Sequence, residues 1–196
     1  MLKSLIAKSR SYRRYHQDFI IDQATLLDWV DCARLSPSAR NAQPLKYILC
    51  YRPETNAAVF DCLAWAAYYK DWPGPMEGER PSAYIVMVLD QSISQGAGVD
   101  AGIAAQTILL AAAEQGLGGC IIASIRQELL RERLSIPEGY DVLLVLALGK
   151  PKEVVLIEPL GETGDIRYYR DAQSVHHVPK RALKDLILPL GDAPAA

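Results

Sequence analysis

Between Ala101 and Ile125 the chain carries one charged residue, Glu114. A run of that length can cross a bilayer, but Glu114-Gln115-Gly116 falls near its middle and Leu117-Gly118-Gly119 follows directly. The charge and the glycines divide the run into a buried helix from about Val99 to Gln115, a turn, and a buried strand from Ile121 to Ser124. The helix is apolar nearly all round, so it belongs inside a core, and its Ala and Gly residues admit a second helix at close range. A soluble protein layered around this helix is the consequence.

The flanking segments supply the layers. Leu2, Leu5 and Ile6 mark one face of a short first helix. Asp22 is placed to cap a second, with Leu26, Val30 and Ala33 at helical spacing and Pro37 ending it. A loop from Ser36 to Pro44 leads into a strand, Tyr47 to Tyr51. A third helix starts near Glu54, with Val59, Phe60, Leu63 and Ala67 on its apolar face. The stretch Trp72 to Pro81 is loop. Ala83 to Leu89 is a strand, and Ile121 to Ser124 and Leu143 to Leu148 read as strands buried on both faces, separated by a charged helix, Arg126 to Leu134. After Gly149-Lys150-Pro151, the interruptions Pro159, Gly161, Gly164 and Pro179 leave room for one short helix, Arg181 to Leu188. Residues 151–196 therefore read as an arm that wraps its own domain or a partner. The expectation is a mixed α/β protein with one domain over residues 1–196.

Charge removes several function classes. The 196 residues hold 21 basic and 23 acidic side chains, a formal net charge of −2, without the basic face that non-specific nucleic-acid binding needs. No basic run suits an anionic membrane surface, and Lys8 and Arg10 stand too close behind the first apolar residues for a signal peptide. A cytoplasmic location is expected. Four cysteines (32, 50, 62 and 120) and three histidines show no zinc-ligand spacing, so packed, reduced thiols and no metal are expected.

Three short motifs remain. Gly96-Ala97-Gly98-Val99-Asp100-Ala101 matches G-x-G-x-x-[GA] between a strand and a helix, the setting of a dinucleotide-binding turn. The polar stretch before it and the missing acidic residue after the next strand favour a flexible loop instead. Arg10-Ser11-Tyr12-Arg13 sets two guanidinium forks and a hydroxyl at a helix end, a common way to hold a phosphate monoester; on this stretch alone a solvated basic loop is favoured. Pro37-Ser38-Ala39-Arg40-Asn41-Ala42-Gln43-Pro44 offers Ser, Asn and Gln to a heteroaromatic edge, or else is a proline-bracketed turn with local caps. No nucleophile elbow or paired carboxylates appear, so hydrolysis has no visible support.

Taken in order, these pieces resemble the nitroreductase family of flavoenzymes. The resemblance is carried by Arg10, Ser11 and Arg13 (R-S-x-R), by the P-S-x-x-N-x-Q-P loop from Pro37 to Pro44, by the passage from Gln106 to Ala123 with its glycines, by Leu148-Gly149-Lys150-Pro151, and by the basic pair Lys180-Arg181. It covers about residues 1 to 188. It implies an α+β fold with a central, mainly antiparallel sheet flanked by helices, in an intertwined FMN-binding homodimer with an extended C-terminal arm. Arg10, Ser11 and Arg13 would hold the FMN phosphate and ribityl chain, with Lys180 and Arg181 closing on the phosphate. Pro37, Ser38, Asn41 and Gln43 would meet the flavin from the partner chain, and Ile122 and Ala123 would run along its ring. Ser9 and Leu45 depart from the family pattern, which often has arginine and tryptophan there.

The implied activity is an FMN-dependent oxidoreductase passing electrons from NAD(P)H to a small organic acceptor such as a nitroaromatic, quinone or enone, by a ping-pong mechanism. The alternatives are an NAD(P)-binding protein using Gly96 to Ala101 and a flavin-binding carrier or sensor without turnover.

Overall fold

Strands that are apolar on both faces fix the centre of the molecule. The computed structural model describes residues 1–188 and divides into two compact units, Met1–Glu153 and the segment from Val154 onward. The first unit is built on β3 (Ala83–Asp90), whose eight residues are all buried, and on β5 (Tyr140–Pro151). β5 pairs with β3 along one edge and with β4 (Gly118–Ile122) along the other. β2 (Leu45–Cys50) lies outside β3, and the two-residue β1 (Tyr15–His16) pairs with Lys150 and Pro151 at the end of β5. All of these pairings are antiparallel, as the family resemblance implies.

Alternation along the strands assigns the two faces. Ile85 and Met87 face a core with Leu26 and Trp29 of α2 (Gln23–Arg34) and Ala105, Ile108 and Leu109 of α4 (Asp100–Glu114). Tyr84, Val86 and Val88 face the opposite core with Val59 of α3 (Pro53–Phe60) and Leu130 of α5 (Gln127–Leu134). The register shifts between Met87 and Val88, where Leu143 is the extra residue on β5, a bulge that keeps both halves of the strand in register with their own core face. α1 (Leu2–Lys8) buries no residue.

Several boundaries move for physical reasons. Asp22 caps α2 as expected, its Oδ1 accepting from Thr25 N–H at 2.9 Å. α3 stops at Phe60, so Leu63 and Ala67 lie outside it; Leu63 instead bridges to Ile125 beyond β4. β4 starts at Gly118 and ends at Ile122, because the glycines pair with Gly149 and Leu148, and Ala123 falls past the strand. α4 buries Ala104, Ala105, Ile108, Leu109, Ala112 and Ala113, while Gly102 and Gln106 are exposed. It is a one-sided core helix within this chain, not one enclosed all round.

The segment after Glu153 holds more order than one short helix. β6 (Val155–Pro159) and β8 (His176–Lys180) pair in parallel, and β7 (Tyr169–Arg170) pairs antiparallel with β8. The expected helix from Arg181 is a single 3₁₀ turn, Leu183–Leu186. His177 fastens this small sheet. Its Nδ1 lies 2.9 Å from Glu158 Oε2, its Nε2 lies 3.1 Å from Asp171 Oδ2, and its ring stacks on Tyr169 at 4.7 Å. Asp171 also accepts from the backbone N–H groups of Gln173 and Val175.

A carboxylate on each ring nitrogen favours the protonated form of His177, and its pKa is raised above 6.5, chiefly by the bonds to Asp171 and Glu158. The stabilisation is therefore complete below the ordinary imidazole value and is lost as pH rises through the folded one. Proton NMR should find His177 titrating above 6.5. Amide protection in β8, corrected for intrinsic exchange, should fall as pH rises past that point, and H177Q should abolish the dependence.

Candidate functional site

The site starts where α1 ends. Ser9 is buried at the C-terminus of α1, its N–H on Leu5 O at 2.9 Å. From there an extended arm, residues 10–14, runs beside β4. Tyr12 N–H donates to Gly119 O at 3.1 Å, and Ser11 and Gly119 form a parallel bridge. Gly118 is what lets the arm approach, since a Cβ there would lie 2.6 Å from the Tyr12 ring; one on Gly119 would instead crowd the sheet, 2.5 Å from Ala147 O. Two motifs more than a hundred residues apart in the sequence are thereby joined.

Two carboxylates hold the arm from its other side. Glu153 Oε1 accepts from Arg13 N–H at 2.5 Å and from Arg14 N–H at 3.2 Å. Glu79, buried, takes the Arg14 guanidinium in a fork at 2.5 and 2.7 Å, with Lys152 Nζ at 3.1 Å. The Arg14 fork and Lys152 hold the Glu79 carboxyl at about 2. Arg14 is thus structural, while Arg10 and Arg13 are differently placed. Arg10 Nη2 donates to Ile6 O at 2.8 Å, and its Nε is buried without a hydrogen-bond partner. Arg13 Nη1 donates to Ser11 O at 3.2 Å. Burial raises the Cys120 thiol on β4 against the pull of the Arg13 charge, so that guanidinium acts on the same strand.

The loop from Ser36 to Pro44 forms a second polar cluster. Ser38 Oγ donates to Asp100 Oδ2 at 2.6 Å and accepts from Gln43 N–H at 2.9 Å, while Ala39 N–H donates to Asp100 Oδ1 at 3.0 Å. Gln43 Nε2 donates to Asn41 O and Oδ1 at 3.1 and 3.2 Å. Arg40, Asn41 and Gln43 hold φ of 54°, 55° and 52°, a left-handed backbone that costs non-glycine residues about 1 kcal/mol or more each. Pro37, Ser38, Gln43, Leu45, Tyr47 and Asp100 line a cleft of about 170 Å³ here. The Ser38 hydroxyl braces the loop as a local cap, with Asp100 as a partner that the sequence did not disclose.

Asp100 also bears on Gly96 to Ala101. Gly96 to Val99 form a loop beyond the end of β3, Asp100 and Ala101 begin α4, and the first turn of that helix is occupied by the buried Asp100 carboxylate. A pyrophosphate at that helix end would meet a like charge.

Past β4, Ser124 O accepts from Ala64 N–H at 3.0 Å and Arg126 N–H donates to Cys62 O at 2.8 Å. These bonds seat the chain from Leu63 to Pro73 beside Ser124 to Arg126 and leave a cleft of about 680 Å³, walled by Trp65, Tyr69 and Trp72. Motif reasoning passes over this wall; the concentration of aromatics from Trp65 to Trp72 is the one signal of it in the sequence. Ile122, buried, and Ala123, exposed, directly precede Ser124, which lines the cleft. Lys180 ends β8 and Arg181 follows, both exposed, in the second unit. Among the described residues no group of three His, Cys, Asp or Glu side chains is placed to hold a metal, and no helix is long and apolar enough to cross a membrane.

The arm, the glycine strand and the proline-bracketed loop lie within residues 6–150, which match the profile described as the nitroreductase family. The chain belongs to the nitroreductase family. It is 31% identical over 155 residues to a Methanothermobacter thermautotrophicus protein that carries the name NADH dehydrogenase/NAD(P)H nitroreductase, covering 76% of each chain. Its fold matches a nitroreductase family protein from Clostridium novyi NT (TM-score 0.64, 25% identity, covering 78% of this chain and 87% of that one). It also matches an FMN-dependent nitroreductase from Clostridium difficile R20291 (TM-score 0.64, 24% identity, covering 78% and 88%). In this nitroreductase-family chain the arm depends on the Glu79 fork. Glu79→Ala should strand a half-buried Arg14 and cost about 2 kcal/mol of stability. Since folding depresses this carboxyl, the stabilisation is complete above about 4.5 and disappears as pH falls toward 2. Acid titration followed by circular dichroism should show the wild type losing stability across that window and the variant losing less.

Proposed function

We propose that this chain is an NAD(P)H-dependent FMN oxidoreductase that reduces a small organic acceptor, a nitroaromatic, quinone or enone, and that it works as a cytoplasmic homodimer. The observation that carries the reading is the bond between the arm and the glycine strand, which sets Arg10, Ser11 and Arg13 against β4. The orphaned Nε of Arg10 fits a missing anionic partner. When bound, FMN supplies the redox chemistry, and the protein's share is position and electrostatics.

Arg10, Ser11 and Arg13 hold the phosphate and ribityl chain, and Lys180 and Arg181 close on the phosphate. The backbone at Ile122 and Ala123 lies along the flavin ring. Pro37, Ser38, Asn41 and Gln43 reach the ring from the partner chain; Asp100 keeps that loop in its left-handed shape so that the amides of Asn41 and Gln43 stay presented. For each NAD(P)H consumed, two electrons and two protons reach the acceptor, one of the protons drawn from solvent. Donor and acceptor take turns in the one aromatic-walled cleft, which gives ping-pong kinetics.

The purified protein should be yellow, bleach anaerobically with NADH or NADPH, and regain colour on adding a quinone or nitroaromatic. Double-reciprocal plots should be parallel. Arg13→Ala should lose a charge-assisted bond of about 1.5–3 kcal/mol, roughly a ten- to hundredfold loss of FMN affinity. A colourless protein, intersecting plots or unchanged flavin retention in the variant would each count against the corresponding part of the reading.

The homodimer reading rests on the outer faces of the helices. Leu2 and Ile6 of α1 and Leu27 of α2 are exposed in the single chain, and Gly102 and Gln106 leave one side of α4 open. An obligate interface over such faces would bury more than about 2,000 Å². Light scattering at low micromolar concentration should give twice the chain mass of 21.6 kDa; a folded, flavin-loaded species at the single-chain mass would overturn it.

A further inference from the structure

The cleft beside β4 carries a charge asymmetry. Among the described residues its lining contains two cations, Lys70 and Arg126, and no carboxylate. Apart from Ser124 its walls are otherwise apolar or aromatic, with Trp65, Tyr69 and Trp72 supplying the rings. Tyr69 and Trp72 pack edge to face with centroids 6.0 Å apart. Arg126 is fixed in place: its backbone N–H donates to Cys62 O and its Nη2 donates to Asp61 O. The Asp61 carboxylate is itself taken by Arg133 at 2.8 Å, so Arg126 keeps its charge uncompensated by that neighbour. Lys70 makes no ion pair among the described residues, and Asp71, next in the chain, stands outside the lining.

We infer that the cleft selects flat acceptors bearing an anionic substituent: an aromatic or quinonoid ring lies against the tryptophan and tyrosine wall while a carboxylate or sulfonate meets Lys70 and Arg126. This deepens the oxidoreductase reading and rests on it for the identification of the ligand as an acceptor. Partly exposed cations near the rim act through a high effective dielectric, so each is worth a few-fold in affinity and both are screened by salt.

The chain provides its own probe. Of its three tryptophans, Trp29 is fully buried in the core between α2 and the sheet, whereas Trp65 and Trp72 line the cleft. Quenching of their fluorescence therefore reports binding without turnover. The test compares 4-nitrobenzoate with 4-nitrobenzamide, which share the ring and the nitro group and differ in charge, on the purified protein with whatever flavin it carries. At low ionic strength the carboxylate should bind about tenfold more tightly. In 0.5 M NaCl the ratio should fall to about two, and in K70Q it should fall about threefold. The donor dinucleotide also carries anionic phosphates, so the KM for NADH is measured in the same variant; a change there alone, with the ratio intact, overturns the inference. Equal affinities for the two compounds, a ratio insensitive to salt, or no quenching by either also overturn it. If the charge preference holds but neither compound is reduced, the oxidoreductase reading fails while the anionic cleft stands. If both are reduced and bind alike, the reverse is true.

Discussion

One hydrogen bond fixes the arm that carries the proposed phosphate ligands: Tyr12 N–H to Gly119 O. It is a backbone bond across a hundred residues of sequence, and it depends on Gly118 leaving room for the Tyr12 ring and on Gly119 leaving room for β5. A methyl group at either would collide with the Tyr12 ring or with β5. Once the arm lies there, its remaining polar groups must be satisfied. Glu153 takes the next two amides, and Glu79 takes the Arg14 guanidinium. Tyr15, fully buried, sends its hydroxyl to Tyr12 O and Ala147 O at 2.5 and 3.2 Å. The arm is thus a rigid piece of the sheet's edge and not a solvated basic loop. A donor already ordered in this way loses little entropy on meeting an anion, which supports the phosphate role proposed for Arg10 and Arg13.

The fold was legible where a physical signal is local and repeated. Asp22 with Leu26 and Ala33 announced α2, and the uninterrupted apolar run from Ala83 announced β3, because caps and buried strands leave marks within a few residues. β1 left no such mark: Tyr15 and His16 are strand only because Lys150 and Pro151 extend β5 far enough to meet them. The same dependence on a distant partner explains why β4 begins at glycines, which are poor strand formers on their own. The sheet of the second unit was missed for a different reason. Its strands bury few side chains and contain Pro159 and Pro179, and a histidine bonded between two carboxylates does part of the work that an apolar face does elsewhere. Such a contact has no periodicity to detect.

Within the candidate site, residue type was more legible than residue role. The motif gives Arg10, Ser11 and Arg13 as phosphate-binding types but says nothing of the strand they lie beside, and Ser38 also serves Asp100 and the loop backbone. Asp100 is a lone acid ahead of an apolar helix, and the glycines before it form the more conspicuous pattern. The aromatic residues from Trp65 to Trp72 pattern as the end of a helix and then a loop, because only the bonds from Ala64 and Cys62 to the end of β4 make them the wall of a cleft. A loop that carries tryptophan becomes such a wall when its ends are tied to a buried strand, and ties of that kind leave no mark in local sequence.

Electrostatics also decides between the two anion sites that the sequence proposed. A helix N-terminus is favourable to negative charge by about 0.3–1 kcal/mol, and α4 offers one directly after a glycine-containing loop. In this chain that favourable potential is already spent on the Asp100 carboxylate, which is buried and bonded to Ser38 and Ala39. A second anion brought within about 4 Å of it would meet a repulsion on the order of 4 kcal/mol at an effective dielectric of about 20, several times what the helix end contributes. The arm presents the opposite balance: its carboxylates are turned toward backbone amides, Arg14 and Lys152, while Arg10 keeps a buried nitrogen without an acceptor. The same acid that stiffens the Ser36–Pro44 loop therefore disfavours phosphate at the glycine segment, which supports the proposed assignment of the FMN phosphate to the arm.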